Sequence, residues 1–240
     1  MTESLKIMNI SISKDVFEKF PGYRRGLVIA HGIKNDSSPD GLIELLKSSE
    51  SQLCMILDQE NFVNHPKIAA WREAYRSLGV KPSEYRPSVD ALVRRVLKKD
   101  PLPAINRIVD IGNIASIQNI VPIGAHAIDL LEGNMELRLA TGTESFVPFG
   151  SDVLEHPSPS EIIFVEGNTV LTRRWTWRQA NHTLVLNTTN AVEINVDALS
   201  IITDDELHEI CSQVATLVKE YCGGEFHIEI LSAKNPSAVM

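Results

Sequence analysis

Apolar and polar positions divide the chain into a helix-rich first half and a strand-rich second half. Leu5, Ile7, Ile10 and Ile12 alternate with polar residues, which predicts a half-buried strand over residues 5–13. The run Leu27, Val28, Ile29 and Ala30 predicts a second strand, buried on both faces. Beyond Pro39-Asp40-Gly41, the spacing of Leu42, Leu45, Leu46, Leu53 and Ile56 predicts a helix over 42–57. Pro66 and Gly79 bracket another, over 68–78. Ser88 is placed as the N-cap of a third, with Val89, Leu92, Val93 and Val96 on its apolar face and Arg94, Arg95, Lys98 and Lys99 largely opposite. Isoleucines from Ile105 to Ile120 predict a largely buried helix, and Pro122 with Gly124 a sharp turn out of it.

The next stretch predicts short strands over 135–140, 161–165, 170–175, 183–187 and 192–196, separated by turns such as Glu132-Gly133-Asn134 and Glu166-Gly167-Asn168. Thr203-Asp204-Asp205-Glu206 is a capping box for a helix over 207–221, which Gly223-Gly224 stops before a last strand over 226–231. Helices gathered early and strands late give an α+β fold with a mostly antiparallel second half. No linker or repeat divides the 240 residues, which are read as one domain over 1–240.

Composition adds a reduced, cytoplasmic setting as the expectation. Cys54, Cys211 and Cys222 are odd in number and form no CxxC pair, and the N-terminus lacks the basic-then-apolar layout of a secretion signal. No apolar run approaches the ~20 residues that span a bilayer, so no membrane partner is expected. The net charge of −8 argues at first against nucleic acid. It is unevenly spread: from Lys67 to Arg107 there are ten basic residues against four acidic, a local balance of +6, and the remainder carries −14. Arg173, Arg174 and Arg178 interleave with Trp175 and Trp177, a combination suited to phosphate contact and base stacking. Arg94, Arg95, Lys98 and Lys99 serve equally as the solvated face of a helix.

Familiar catalytic signatures are absent. There is no Walker loop, GxGxxG, GxSxG elbow or HExxH, and the seven histidines lack metal-ligand spacing, so no cofactor and no metal are expected. One dense segment remains. Asn106, Asp110, Asn113 and Ser116 form a polar stripe on the isoleucine-rich helix, and the turn bearing Gly124 and His126 follows at once. The stripe is either a satisfied network tying the helix to a neighbour or part of a ligand site, and His126 is either a paired structural residue or a pocket lip.

The strings INRIVDIGNIASI, VPIGAHAIDLLEGN and MELRLATGTESFVPFG resemble the B3/B4 domain of the phenylalanyl-tRNA synthetase beta subunit. They are still more similar to free-standing proteins made of that domain, whose pattern also includes stretches like Gly79-Val80-Lys81-Pro82-Ser83-Glu84-Tyr85-Arg86-Pro87-Ser88 and Arg173-Arg174-Trp175-Thr176-Trp177-Arg178-Gln179. The match covers roughly residues 60–200, leaving 1–60 and 201–240 as integral extensions. The resemblance implies a B3/B4-like fold and, by analogy with the synthetase's editing site, hydrolysis of a wrongly esterified amino acid on tRNA. His126 then falls in the family's histidine-bearing turn and Glu144 on the glutamate of its GE pair. The sequence departs from the family in carrying Ala127-Ile128 between His126 and Asp129, where an aromatic is common.

The expected function is therefore trans-acting aminoacyl-tRNA editing. His126, Asn113, Asp110 and Glu144 are the candidate catalytic group; Asn106, Gly124, Arg173, Arg174, Trp175, Trp177, Arg178, Arg94 and Arg95 are the candidate substrate contacts. The partners are the acceptor end of tRNA and a small amino acid moiety. A non-catalytic module that binds tRNA or an amino acid is the alternative. A third reading is an interaction domain using the basic face of the helix that begins at Ser88.

Overall fold

The computed structural model describes residues 8–240; Leu5, Ile7 and the rest of the first seven residues, with the N-terminal part of the strand expected there, lie outside the described residues. In chain order the elements are β1 (Asn9–Ile12), α1 (Lys14–Lys19), β2 (Arg24–His31), α2 (Asp40–Ile56), α3 (Pro66–Ser77), α4 (Ser88–Leu97), α5 (Arg107–Asn119), β3 (Ile123–Ala127), β4 (Met135–Leu139), β5 (Ile162–Glu166), β6 (Thr169–Arg173), β7 (Arg178–Gln179), β8 (Ala191–Ala198), α6 (Asp204–Tyr221), β9 (Glu225–Leu231) and β10 (Ser237–Val239). The fold is α+β. Its strands form a four-stranded sheet, β3-β8-β2-β9, and a six-stranded sheet, β10-β1-β4-β5-β6-β7. Every paired neighbour is antiparallel except β1 and β4.

Helices cover one face of the four-stranded sheet. A Cβ on Gly26 of β2 would collide with the Cys211 sulfur of α6, so glycine lets helix and strand approach closely. On the same face the apolar residues Val192, Ile194, Val196 and Ala198 of β8 are fully buried. α5 packs between α2 and α6 and reaches β3. The opposite face of this sheet meets the six-stranded sheet. Side chains alternate along a strand, so Arg25, Leu27 and Ile29 share it with their register partners Asp197, Asn195 and Glu193, and with His126 and Gly124 across from β8. The Arg25 guanidinium sits 4.3 Å from the ring centroid of Phe164 on β5, and the His126 ring 5.0 Å from it. A buried polar layer thus runs between the two sheets.

Three local expectations are corrected. Ser88 is the first residue of α4 and no side-chain cap forms there; its N–H instead donates to the Thr176 carbonyl at 3.0 Å, tying the helix start to the turn before β7. Residues 183–187 form no strand. Their carbonyls are taken by other partners: Thr183 by the Ala127 N–H, Val185 by Asn106 and Leu186 by Asn35. The segment holding Gly124 and His126 is the edge strand β3 rather than a turn, because the left-handed Ile120 (φ 54°) ends α5 and redirects the chain straight into the sheet. The short α1, β7 and β10 had no periodicity to announce them. Elsewhere, Thr203 caps α6 by accepting the Glu206 N–H at 3.1 Å, and Gly79 (φ 73°) follows α3. No helix among the described residues is long and apolar enough to cross a membrane.

Candidate functional site

Where the edge strand β3 faces the turn around Trp177, two cavities adjoin and share part of their lining. The outer cleft encloses about 620 Å³ between the α5 face and residues 184–187, and includes Asn106, Asn113, Phe149, Trp177 and Arg178. The inner chamber, about 220 Å³, runs inward between the sheets to Arg25, His126, Thr172, Trp175, Asn195 and Asp197. Gly124, Ala125, Trp177, Arg178 and Gln179 line both and form the lip between them. Gln179 secures that lip, its amide donating to the carbonyls of Ala125 (2.9 Å) and Thr183 (3.3 Å).

The polar stripe on α5 divides between the two roles open to it. Asn106 is the N-cap, accepting the Val109 N–H at 3.1 Å and donating to the Val185 carbonyl at 2.9 Å. Asp110 is buried and accepts from Ser38 Oγ (2.5 Å) and the Ile105 N–H (3.0 Å). Burial pushes its pKa up, and those two donors offset only part of the rise. Ser116 donates to the Val121 carbonyl. These three hold the helix in place, while Asn113 lines the outer cleft.

His126 is buried and fully engaged. Its Nδ1 lies 2.7 Å from Thr183 Oγ1 and its Nε2 3.3 Å from Thr172 Oγ1. Burial, then the nearby positive charge of Arg25, lowers its pKa to about 3, so the ring is neutral at physiological pH and is a weak base. Glu144 lies elsewhere. It is buried, pairs with Arg138 Nη1 at 2.5 Å and accepts the N–H groups of Thr141 and Gly142, each at 2.9 Å. Burial opposes its charge, yet these donors prevail and bring its pKa to about 2. Glu144 closes the 141–144 turn and does not line the cleft.

The basic candidates also separate. Arg173 is buried in a fork with Glu161 (2.9 and 2.8 Å) and pairs with Glu155 at 2.8 Å. Arg174 stacks 3.4 Å from the Tyr85 centroid and 4.8 Å from that of Trp177, outside the two chambers. Trp175, held at φ 66°, is a buried hub whose ring meets Phe20, Tyr23 and Trp71 at 4.7–4.9 Å. Arg178 and Trp177 stand at the lip, where Arg178 approaches Glu155 at 3.9 Å, its one acidic partner among the described residues. Arg94 pairs with Asp90 and stacks on Phe62, Arg95 pairs with Asp100, and neither lines the cleft.

Arg25, Glu193, Asn195 and Asp197 escaped the sequence reading. Arg25 Nε is 3.8 Å from both Glu193 Oε1 and Asp197 Oδ1, so two carboxyl groups flank one guanidinium while no hydrogen bond forms between them. Arg25 Nε and Nη1, both Glu193 oxygens and Asn195 Oδ1 are buried without a partner among the described residues. Burial raises the Glu193 pKa to about 7 against the opposing pull of Arg25, with Asp197 adding to the rise. The one available signal was the alternation of Glu193, Asn195 and Asp197 with valines and isoleucines. Polar residues alternating this way read as solvent-facing unless the partner sheet is known.

A chamber that ends in unpaired buried donors and acceptors, and opens through an aromatic lip bearing one cation, is built to hold a polar ligand at its far end and a stacking group outside. A family model described as the B3/4 domain matches residues 70–223 of this chain. No curated protein matches it. Among solved structures, an N-terminal fragment of the phenylalanyl-tRNA synthetase beta-subunit from Pyrococcus horikoshii is similar at 12% identity, covering 90% of this chain and 49% of that one, with a TM-score of 0.46. The chain thus spans about half the length of that fragment.

Proposed function

The chain belongs to the B3/4 domain family, and on that premise we propose that it acts on tRNA in trans, hydrolysing the ester of a wrongly attached amino acid. The observation that carries this reading is the pair of adjoining chambers with a shared lip. The inner one, at about 220 Å³, is larger than the ~150 Å³ cavity that holds a benzene ring and suits one aminoacyl group. The outer one, at about 620 Å³, offers Phe149 and Trp177 as stacking surfaces for a terminal base and Arg178 for a phosphate. The motif resemblance of the segments around Asp129 and Arg173 supports the same assignment.

In this pose the ester carbonyl lies at the lip. A residue of an edge strand directs both its N–H and its C=O to the same side. The Ala125 carbonyl faces Gln179, so the Ala125 N–H faces the lip as well and serves as a donor for the developing oxyanion. Water attacks the ester carbon, the bond to the terminal ribose oxygen breaks, and the products are a free amino acid carboxylate, a ribose hydroxyl and one proton released to solvent. An aminoacyl ester is already activated, so positioning is the main requirement. Asn113 orients the water from the α5 side. Neutral His126 orients the chamber wall rather than accepting the proton. Residues 1–240 form one working unit in this reading, since Arg25 comes from the N-terminal extension. Cytoplasmic action follows from the substrate.

A second reading is a non-catalytic tRNA- or amino-acid-binding module, favoured by the low basicity of His126 at about 3. A panel of mischarged tRNAs incubated with the purified protein decides between them. Editing predicts that at least one ester is lost faster than in buffer, and that Arg178→Ala and Asn113→Ala each slow that loss about tenfold or more. Saturable tRNA binding with no ester lost faster than in buffer would establish the binding module instead.

A further inference from the structure

We propose that the inner chamber selects a neutral hydrogen-bonding amino acid side chain, a hydroxyl or a carboxamide, by offering it the Arg25 guanidinium, whose Nε and Nη1 lack hydrogen-bond partners among the described residues, as donor and Asn195 Oδ1 as acceptor. The proposal deepens the editing reading and rests on the aminoacyl group occupying this chamber.

Arg25 is 3% exposed and Asn195 4%, both line the chamber, and Arg25 Nε and Nη1 and Asn195 Oδ1 lack partners among the described residues. The Asn195 amide is not free to turn. Its Nδ2 donates to Asp197 Oδ2 at 2.7 Å, which commits Oδ1 to the other side. Gly124 makes room there, since a Cβ at that position would come within 2.9 Å of Oδ1. Arg25 is held equally firmly, between two carboxylates at 3.8 Å and over the Phe164 ring.

Charge excludes the other ligand classes. A carboxylate side chain would bring a third anion to a cluster already holding Glu193 and Asp197 against one guanidinium. A cationic side chain would face Arg25 inside a low-dielectric cavity. An apolar side chain would offer Arg25 and Asn195 no hydrogen bond, leaving a buried guanidinium and a buried amide oxygen unsatisfied. A hydroxyl accepts from Arg25 and donates to Asn195; a carboxamide does both with separate atoms. A site that hydrogen-bonds its ligand in this way discriminates against an isostere lacking the group by up to ~10⁴–10⁵, where a methylene difference alone reaches only ~10–200.

The test uses the intact chain and non-hydrolysable analogues in which the amino acid is amide-linked to 3′-amino-adenosine, measured by calorimetry as isosteric pairs: threonyl against valyl, asparaginyl against leucyl. We expect at least one polar member to bind about 100-fold or more tighter than its partner. Asn195→Leu should reduce that ratio to about tenfold or less, and Arg25→Met should do the same. The wild-type ratios need no variant, so a misfolded Arg25→Met leaves the test intact. Equal affinity within both pairs, tighter binding of valyl and leucyl, or a lysyl or aspartyl analogue that outbinds all four would overturn the proposal. Discrimination among analogues with no hydrolysis of any mischarged tRNA would support this proposal while removing the editing reading. Hydrolysis without discrimination would do the reverse.

Discussion

Glu193 is the residue whose surroundings most oppose its chemistry. It is buried, its two oxygens lack hydrogen-bond partners among the described residues, and its pKa rises to about 7, mainly through burial. A carboxyl that holds its proton more tightly in the folded than in the unfolded chain stabilises the fold fully below its unfolded pKa of about 4.3. That contribution is lost as pH rises through about 7. The carboxamide of a Glu193→Gln variant does not titrate. The stability of the variant relative to wild type should therefore grow from pH 4.5 to pH 7 and level off above pH 8. Urea denaturation of both proteins across that range measures the difference, and a flat difference would show that Glu193 ionises normally. His126 shifts the opposite way, losing stability as pH falls towards about 3, but it is common to both proteins and cancels. At this scale the lip was legible and the chamber floor was not. Trp177, Arg178 and Asn113 stood out as aromatic, basic and polar residues in unusual company. Arg25 and Asn195 lay inside strands whose polar alternation is the same whether water or another sheet covers it.

Among the elements, long periodic segments were read closely and short or side-chain-determined ones were not. The helix expected over 42–57 is α2, Asp40–Ile56, and the one over 207–221 is α6, Asp204–Tyr221, because each carries both an apolar face and a recognisable start. The strand β3 was hidden because Pro122 and Gly124 look like a turn, and only the left-handed Ile120 reveals that the turn has already been made. Residues 183–187 have strand composition, yet Asn35 and Asn106 capture their carbonyls. Asn106 is thus the fastening point of two elements, since one amide caps α5 and holds the wall of the outer cleft. Asn106→Ala removes both bonds, and a lost cap of this kind costs about 1–2 kcal/mol. In a chain of this size that lowers Tm by about 2–8 °C. Asn106→Asp retains the cap acceptor and should recover more than half of the loss. Calorimetric melting of the three proteins checks the order, and an Asp variant no better than Ala would place the energy in the Val185 bond instead.

For the molecule as a whole, the uneven charge of the sequence reads differently once the chain is folded. The basic stretch from Lys67 to Arg107 is locally +6, yet Lys67 pairs with Glu206, Arg72 and Arg94 with Asp90, Arg76 with Glu73, Lys81 with Glu84 and Arg95 with Asp100. Four of these five acids lie within the stretch and are already counted in its balance. None of its ten basic residues lines either chamber. Lys67 alone is answered by an acid from a distant segment, Glu206, which lowers the balance to +5. Arg173 is neutralised in the same way by Glu155 and Glu161. What remains at the cleft is Arg178, within a protein of net charge −8. Under the proposed function, a tRNA would be gripped at such a surface by stacking and by its aminoacyl end rather than by its phosphate backbone. Each phosphate contact with a single strand contributes about −0.7 to the slope of log K against log salt. One or two contacts at the cleft therefore predict a slope between about −0.7 and −1.4, measured by titrating tRNA at salt concentrations spanning a fourfold range. Arg178→Ala should flatten it by about 0.7, whereas Arg94→Ala and Arg95→Ala should leave it unchanged. A slope of about −3.5 or steeper requires five or more phosphates and would move the principal contact away from the cleft to the basic face of α4.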